Sequence, residues 1–185
     1  MKEVEILVKV ESDLQPVLAK MALFEKKGVK EVLDIYYYDP LRSELQPKDF
    51  ALERCFRLRQ KGDKSYMTYK IDHFEGDVWS YSDEFEIEIS SVSQAEKIVK
   101  ELGLEELIRI DNTKYLFNDD LYEIAIEDVK GLGIFVEVER LEVKDEEEIE
   151  LVNEEIRNFI KKFDISCKEM NMGKPELMLR LSKKS

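Results

Sequence analysis

Glutamates recur in pairs two residues apart: Glu3 and Glu5, Glu84 and Glu86, Glu137 and Glu139. That spacing puts both carboxylates of a pair on one face of a β-strand. Apolar residues fill the other face: Val4 and Ile6, Phe85 and Ile87, Val136 and Val138. Bases obey the same rule. Arg57 and Arg59 share a face in CFRLRQ, and Thr68 and Lys70 share one in YMTYK. Carboxylates from separate strands can hold divalent cations. Arg and Lys opposite them can hold phosphate oxygens, Arg in bidentate fashion. A metal-bound polyphosphate satisfies both sets at once. Without such a ligand or counter-ions, like charges so close together repel.

The rest of the composition removes other chemistries. The chain has 185 residues, one His and two Cys, with 29 Lys plus Arg against 42 Asp plus Glu. Cys55 and Cys167 lie far apart without CxxC partners, which excludes a Cys/His zinc site and leaves both as inert thiols. A Ser–His–Asp triad would have to use His73, read as a surface loop residue. Any metal must therefore sit on carboxylates, which means Mg²⁺, Mn²⁺ or Ca²⁺. A net charge of −13 gives no global attraction for nucleic acid or anionic lipid. No apolar run approaches a membrane span, and MKEVEILVKV does not read as a signal peptide, so a cytoplasmic protein is expected. High Glu and Lys with four Gln and five Asn point to a thermophilic source.

The elements that must carry these residues repeat as one module, a strand feeding a helix. EVEILVKV leads into a helix expected to run to about Lys27, with Ser12 and Gln15 as capping box and Gly28 as stop. EFEIEI leads into a second, with Ser93 and Glu96 as box and Gly103 as stop. FVEVER leads into a third, with Asp145 as cap, Glu146 to Glu148 at its positive end, and Lys161 and Lys162 at its negative end. Further strands are expected at about 29–39, 51–60, 64–72, 104–118 and 120–129. Residues 40–50 form a polar loop with Pro40 and Pro47. Eight strands and about three helices define an α+β fold with a mainly antiparallel sheet, in a single domain over 1–185. Alternation alone is compatible with an open sheet whose charged face is solvated. Charges of both signs on so many strands favour a closed barrel, charges inside and helices outside.

In order, E-x-E, R-L-R, T-Y-K, E-x-E, D-V-K-G-L-G and F-V-E-V-E resemble the CYTH superfamily, the triphosphate tunnel metalloenzymes. These include CyaB-type class IV adenylyl cyclases and thiamine triphosphatases. The resemblance covers about residues 2–163. It implies a closed eight-stranded antiparallel tunnel that takes a small-molecule triphosphate or nucleotide with Mg²⁺ or Mn²⁺. It implies metal ligation by Glu3, Glu5, Glu137 and Glu139, with Glu84, Glu86 and Glu127 as supporting lumen acids. Phosphate-binding bases would be Arg57, Arg59, Lys70 and Lys114. Nucleic acid and membrane are not implied partners, and a homodimer stays open.

The sequence also departs from the signature. E-x-E-x-K is broken by Leu7, and the next base on that face is Lys9, about 6–7 Å further on. Lys9 is thus a phosphate-binding candidate and the one candidate for a catalytic residue, the base itself being left open between a carboxylate, a Lys and metal-bound water. Ser82 stands where the family has Arg, Asn112 and Lys114 where it has K-x-R, and Glu127 where it has Asp. The family's C-terminal Tyr is missing around Gly173 to Leu177. Weakened activity is expected from these changes, with Leu7→Lys raising triphosphate affinity. Three readings follow: hydrolysis, cyclisation to cyclic AMP, and binding without turnover. Tyr36 to Tyr38 are read mainly as strand packing, and Trp79 as core or barrel rim.

Overall fold

The computed structural model describes residues 2–76, 78–144 and 147–183. In chain order the elements are β1 (Lys2–Glu3), β2 (Glu5–Val10), α1 (Leu14–Lys20), β3 (Glu25–Tyr38), β4 (Arg54–Lys61), β5 (Lys64–Glu75), β6 (Val78–Ile89), α2 (Val92–Glu101), β7 (Glu105–Asn118), β8 (Tyr122–Val129), β9 (Gly133–Arg140), α3 (Ile149–Lys161), β10 (Cys167–Glu169) and α4 (Lys174–Ser182). The fold is α+β: a strongly curled antiparallel sheet and four helices. Among the described residues the sheet order is β1-β6-β5-β4-β3-β7-β8-β9-β2-β10. That makes nine strands if β1 and β2 are counted as one extended run. The run pairs at Lys2 and Glu3 with β6, and from Glu5 onward with β9. No described helix is long and apolar enough to cross a membrane.

Three apolar clusters hold the sheet in this shape. On the outer face, α1 and α3 cover β2, β8 and β9, burying Val17, Met21, Val152, Ile156 and Phe159 against Ile6, Ile124, Val136 and Val138. Phe24, Phe159 and Phe163 meet edge to face with centroids 5.2–5.7 Å apart. Ala95 and Val99 of α2 cover Ile35, Tyr37 and Leu58. The outer face of β6 stays bare, with Phe85 and Ile87 exposed. The third cluster lies at one end of the concave face, where Leu177 and Met178 of α4 pack on Leu7, Tyr36, Ile110 and Phe135.

The first module differs from its sequence reading. Helix α1 ends at Lys20, and a single 3-10 turn, Met21–Leu23, precedes β3. The buried i, i+4 pair Val17 and Met21 ends the amphipathic stripe. Residues from Glu25 onward pair with β7. Gly28 is therefore a strand residue at φ +143 beside a bulge, not a helix stop. Asp13, not Ser12, precedes α1, without a side-chain cap. In the second module Ser91, not Ser93, is the cap and accepts from Gln94 N at 3.3 Å. Gly103 follows α2 at φ +84, as its stop role requires. The Asp145 cap lies outside the described residues, and α3 opens at Ile149 after Glu148. Helix α4 and the edge strand β10 were not foreseen.

Candidate functional site

The concave face holds one charged cavity. Glu3, Glu5, Arg57, Arg59, Lys70, Glu84, Lys114 and Glu137 line it, from seven different strands. Period-two alternation aims each of them inward, while apolar neighbours such as Val4, Ile6, Leu58 and Val136 enter the outer clusters. Glu127 is fully buried behind the lining, and Glu86 stands nearer the rim with its side chain 34% exposed.

The charges fall into three groups. Lys70 Nζ lies 2.6 Å from Glu3 Oε2, 3.3 Å from Glu5 Oε1 and 3.7 Å from Glu84 Oε2. Arg57 Nη2 donates to Glu84 Oε1 at 3.0 Å, while its buried Nε has no partner among the described residues. Arg59 grips Asp34 with two bonds of 2.7 and 2.8 Å. Burial alone would raise Asp34, but Arg59 holds it well below the usual carboxylate range. In the third group Lys114 lies 2.6 Å from Glu127 and 3.1 Å from Glu137, and Lys174 lies 2.8 and 2.5 Å from the same pair. Burial would raise Glu137 too, yet the two lysines hold it well below its ordinary value.

Glu139, expected to share the cavity, is not among its lining residues and has no such compensation. Glu139 is the register partner of Glu5 on β2 and of Glu123 on β8. Burial, then Glu3 and Glu5, push Glu139 up to about 8. Burial pushes Glu5 up to about 7, with Glu137 and Glu3 adding to it against Lys70. Adjacent carboxylates forced toward the neutral form are a donor set that fits a hard divalent cation. Among the described residues no three His, Cys, Asp or Glu side chains already converge at ligating distance. Lys70 takes up charge of Glu3 and Glu5, and Lys114 and Lys174 that of Glu137, while none of them reaches Glu139.

Several expectations need correction. Lys9 is exposed, lies 5.8 Å above the Phe135 ring and does not line the cavity. It follows Leu7 past the apolar end, so it cannot lean back to the acids. Leu7 does face the cavity, but it packs with the α4 cluster and is the register partner of Glu137. Lys174 brings an ammonium to that same Glu137 from the C-terminal segment. The cation expected at position 7 has thus been replaced from elsewhere, and Leu7→Lys would not restore a missing charge. Asn112 donates to Glu127 at 3.0 Å and so holds an acid rather than a phosphate.

Asp34 and Lys174 were missed. The signal for Asp34 was an acid inside the apolar run VLDIYYY, on the face that opposes Arg59. Lys174 gave none, because only the fold brings it to residues 37 and 47 positions away. Its helix start is local: Pro175 sits in the first turn, and Glu176 accepts from Gly173 N and Leu52 N. His73 belongs to β5, not a loop, bonds Asp83 at 2.8 Å and stacks on Tyr81 outside the cavity. Of the tyrosines only Tyr36 lines the cavity. Tyr37 packs on Phe56, and Tyr38 donates to Glu105. Burial raises the Cys55 and Cys167 thiols, which are unpaired with one another.

The architecture is thus a curled antiparallel sheet with acids and bases interleaved on its concave face. The sequence model of the CYTH domain matches residues 1–169, and the chain belongs to that family. A Methanocaldococcus jannaschii protein provisionally named adenylate cyclase MJ0240 is 29% identical over 180 residues, covering 97% of this chain and 99% of that one. The PH1819 protein of Pyrococcus horikoshii OT3 superposes with a TM-score of 0.83 at 24% identity, covering 97% and 99%. HpAC1 from Hippeastrum, provisionally named an adenylyl cyclase and described as revealing a dominant triphosphatase activity, superposes at 0.68 and 16% identity, covering 97% and 96%. Helix α4, with Lys174, lies beyond the matched family segment.

Proposed function

We propose that the cavity binds the triphosphate chain of a small molecule with Mg²⁺ or Mn²⁺ and cleaves it, by hydrolysis in preference to cyclisation, within one domain spanning residues 1–185. One arrangement carries this reading. The buried Nε of Arg57, without a partner among the described residues, belongs to a side chain that lines the same cavity as Glu5, and Glu5 is the register partner of Glu139, an acid that burial and its acidic neighbours push toward the neutral form with no cation beside it among the described residues. The split pairing of the β1–β2 run, to β6 and to β9, supports closure of the sheet into an eight-stranded tunnel.

Glu3, Glu5 and Glu139 would hold the cation, with Glu137 joining when its lysines turn to phosphate. The cation supplies polarisation of phosphate oxygens. Arg57, Arg59, Lys70 and Lys114 neutralise charge on the phosphates, and Arg57 has a donor ready for them. Water attacks the terminal phosphorus, the bond from that phosphorus to the bridging oxygen breaks, the diphosphate chain leaves, and the water's proton passes to a cavity carboxylate that does not hold the cation. His73 is turned away from the site. The names of the relatives attach both cyclase and triphosphatase chemistry to this fold, which keeps cyclisation as the second reading.

The test is a panel of ATP, thiamine triphosphate and inorganic triphosphate incubated with Mg²⁺ or Mn²⁺. Release of phosphate supports hydrolysis, and pyrophosphate with cyclic AMP supports cyclisation. Binding without product leaves a non-catalytic module, and absence of both binding and product overturns the reading.

A further inference from the structure

The charged cavity has an aromatic end. Along β5 the inward residues are Thr68, Lys70 and Asp72, and along β6 they are Glu84, Ser82 and Ser80. Regular pairing holds from Ser65 with Ile89 through His73 with Tyr81. It then breaks: Phe74 pairs with Trp79 instead of Ser80. One residue has been inserted, and a bulge of this kind re-aims the side chain that follows it. Trp79, which would otherwise face outward, is thereby set beside Phe74, and both line the cavity. The indole is held in place. Its Nε1 donates to Ser82 Oγ at 3.1 Å, and Ser82 Oγ donates to Asp72 Oδ1 at 2.6 Å. Ser82 thus orients an aromatic ring at the position where the family resemblance implied an arginine.

Met170 and Met172, in the connection between β10 and α4, line the same cavity, Met170 also packing against the α4 cluster. Phe74 keeps 39% of its surface exposed although its strand neighbours Lys70 and Asp72 are largely enclosed. Two rings and two thioethers open to a cavity that is otherwise salt-bridged do nothing for the phosphate chain. They offer π faces and polarisable sulfur, the surface on which a planar ring stacks.

We propose that Phe74 and Trp79, placed side by side by the β5–β6 bulge and joined by Met170 and Met172, form the subsite for the ring of an aromatic-bearing organic triphosphate, such as a nucleoside triphosphate. The proposal rests on the triphosphate reading of the cavity and adds the specificity element to it. Inorganic triphosphate would fill only the charged part.

Trp79 is the single tryptophan of the chain, so its fluorescence reports on this subsite alone. The experiment compares ATP with inorganic triphosphate, each with Mg²⁺, by calorimetry and by Trp79 emission, on the wild type and on Phe74→Ala. Phe74 is exposed enough for its truncation to spare folding. ATP should quench Trp79 more than inorganic triphosphate does. Phe74→Ala should lower the ratio of ATP affinity to triphosphate affinity about tenfold. An unchanged ratio overturns the ring subsite while the triphosphate reading stands. Failure of both compounds to bind the wild type overturns the triphosphate reading and the subsite with it.

Discussion

Replacing Glu139 by Gln should stabilise the protein at alkaline pH when no divalent cation is present. Glu139 stands beside Glu5 and Glu123, with Glu3 and Glu137 close by, and no described cation pairs with it. Its carboxyl is raised from 4.5 to about 8 by burial and then by those acids. Below pH 4.5 it is neutral in the folded and unfolded chain alike and costs nothing. As pH rises the unfolded chain loses this proton first, so stability falls with pH, and the fall levels off near pH 8. Each pKa unit is worth about 1.4 kcal/mol, which sets a ceiling of about 5 kcal/mol. Partial contact with solvent reduces this to about 2 kcal/mol. For a chain of this length that is a gain of about 4–8 °C in Tm. Thermal unfolding of Glu139→Gln and wild type at pH 4 and pH 8 in chelator is the assay. Glu139→Gln should unfold higher at pH 8, match the wild type at pH 4, and gain less from millimolar Mn²⁺. A variant less stable at pH 8, or equally shifted at both pH values, would refute the reasoning.

Lys174→Ala leaves buried Glu127 and Glu137 with Lys114 as their remaining ion-pair partner, and should cost about 3 kcal/mol in denaturant unfolding at pH 7. Leu7→Lys should lower stability by about 2 kcal/mol and fail to raise triphosphate affinity, because it removes packing against Leu177 and Met178 and sets a second ammonium near Lys174. Asp34→Asn should cost about 3–5 kcal/mol near pH 7 by leaving Arg59 buried without its carboxylate. Because the Asp34 carboxyl is held well below its unfolded value, that difference is full above pH 4 and shrinks as pH falls below it.

The parts of this site that could be read in the sequence are those governed by strand alternation. Glu3, Glu5, Arg57, Arg59, Lys70 and Glu137 each declare their face by an apolar neighbour, and that period survives folding without knowledge of the partner strands. The misreadings arise where a second element intervenes. Lys9 keeps the correct face but lies beyond the cavity, since face says nothing of height along the strand. Gly28 and the residues before it carry helix-like polarity, yet pairing with β7 takes them into a strand. Lys174 and α4 enter the cavity from the far end of the chain, and no local pattern announces a contact across that distance. Trp79 reaches the inner face through a bulge, a change of register that alternation cannot foresee.

The most direct measurement is the anomalous scattering of Mn²⁺ in crystals grown with inorganic triphosphate. The account places a manganese peak between Glu5 and Glu139, and triphosphate density against Arg57, with Lys70 turned from Glu3 and Glu5 to the phosphates. Saturating Mn²⁺ and triphosphate with no manganese peak in the cavity, and with Lys70 and Lys174 still bound to their glutamates, would contradict it.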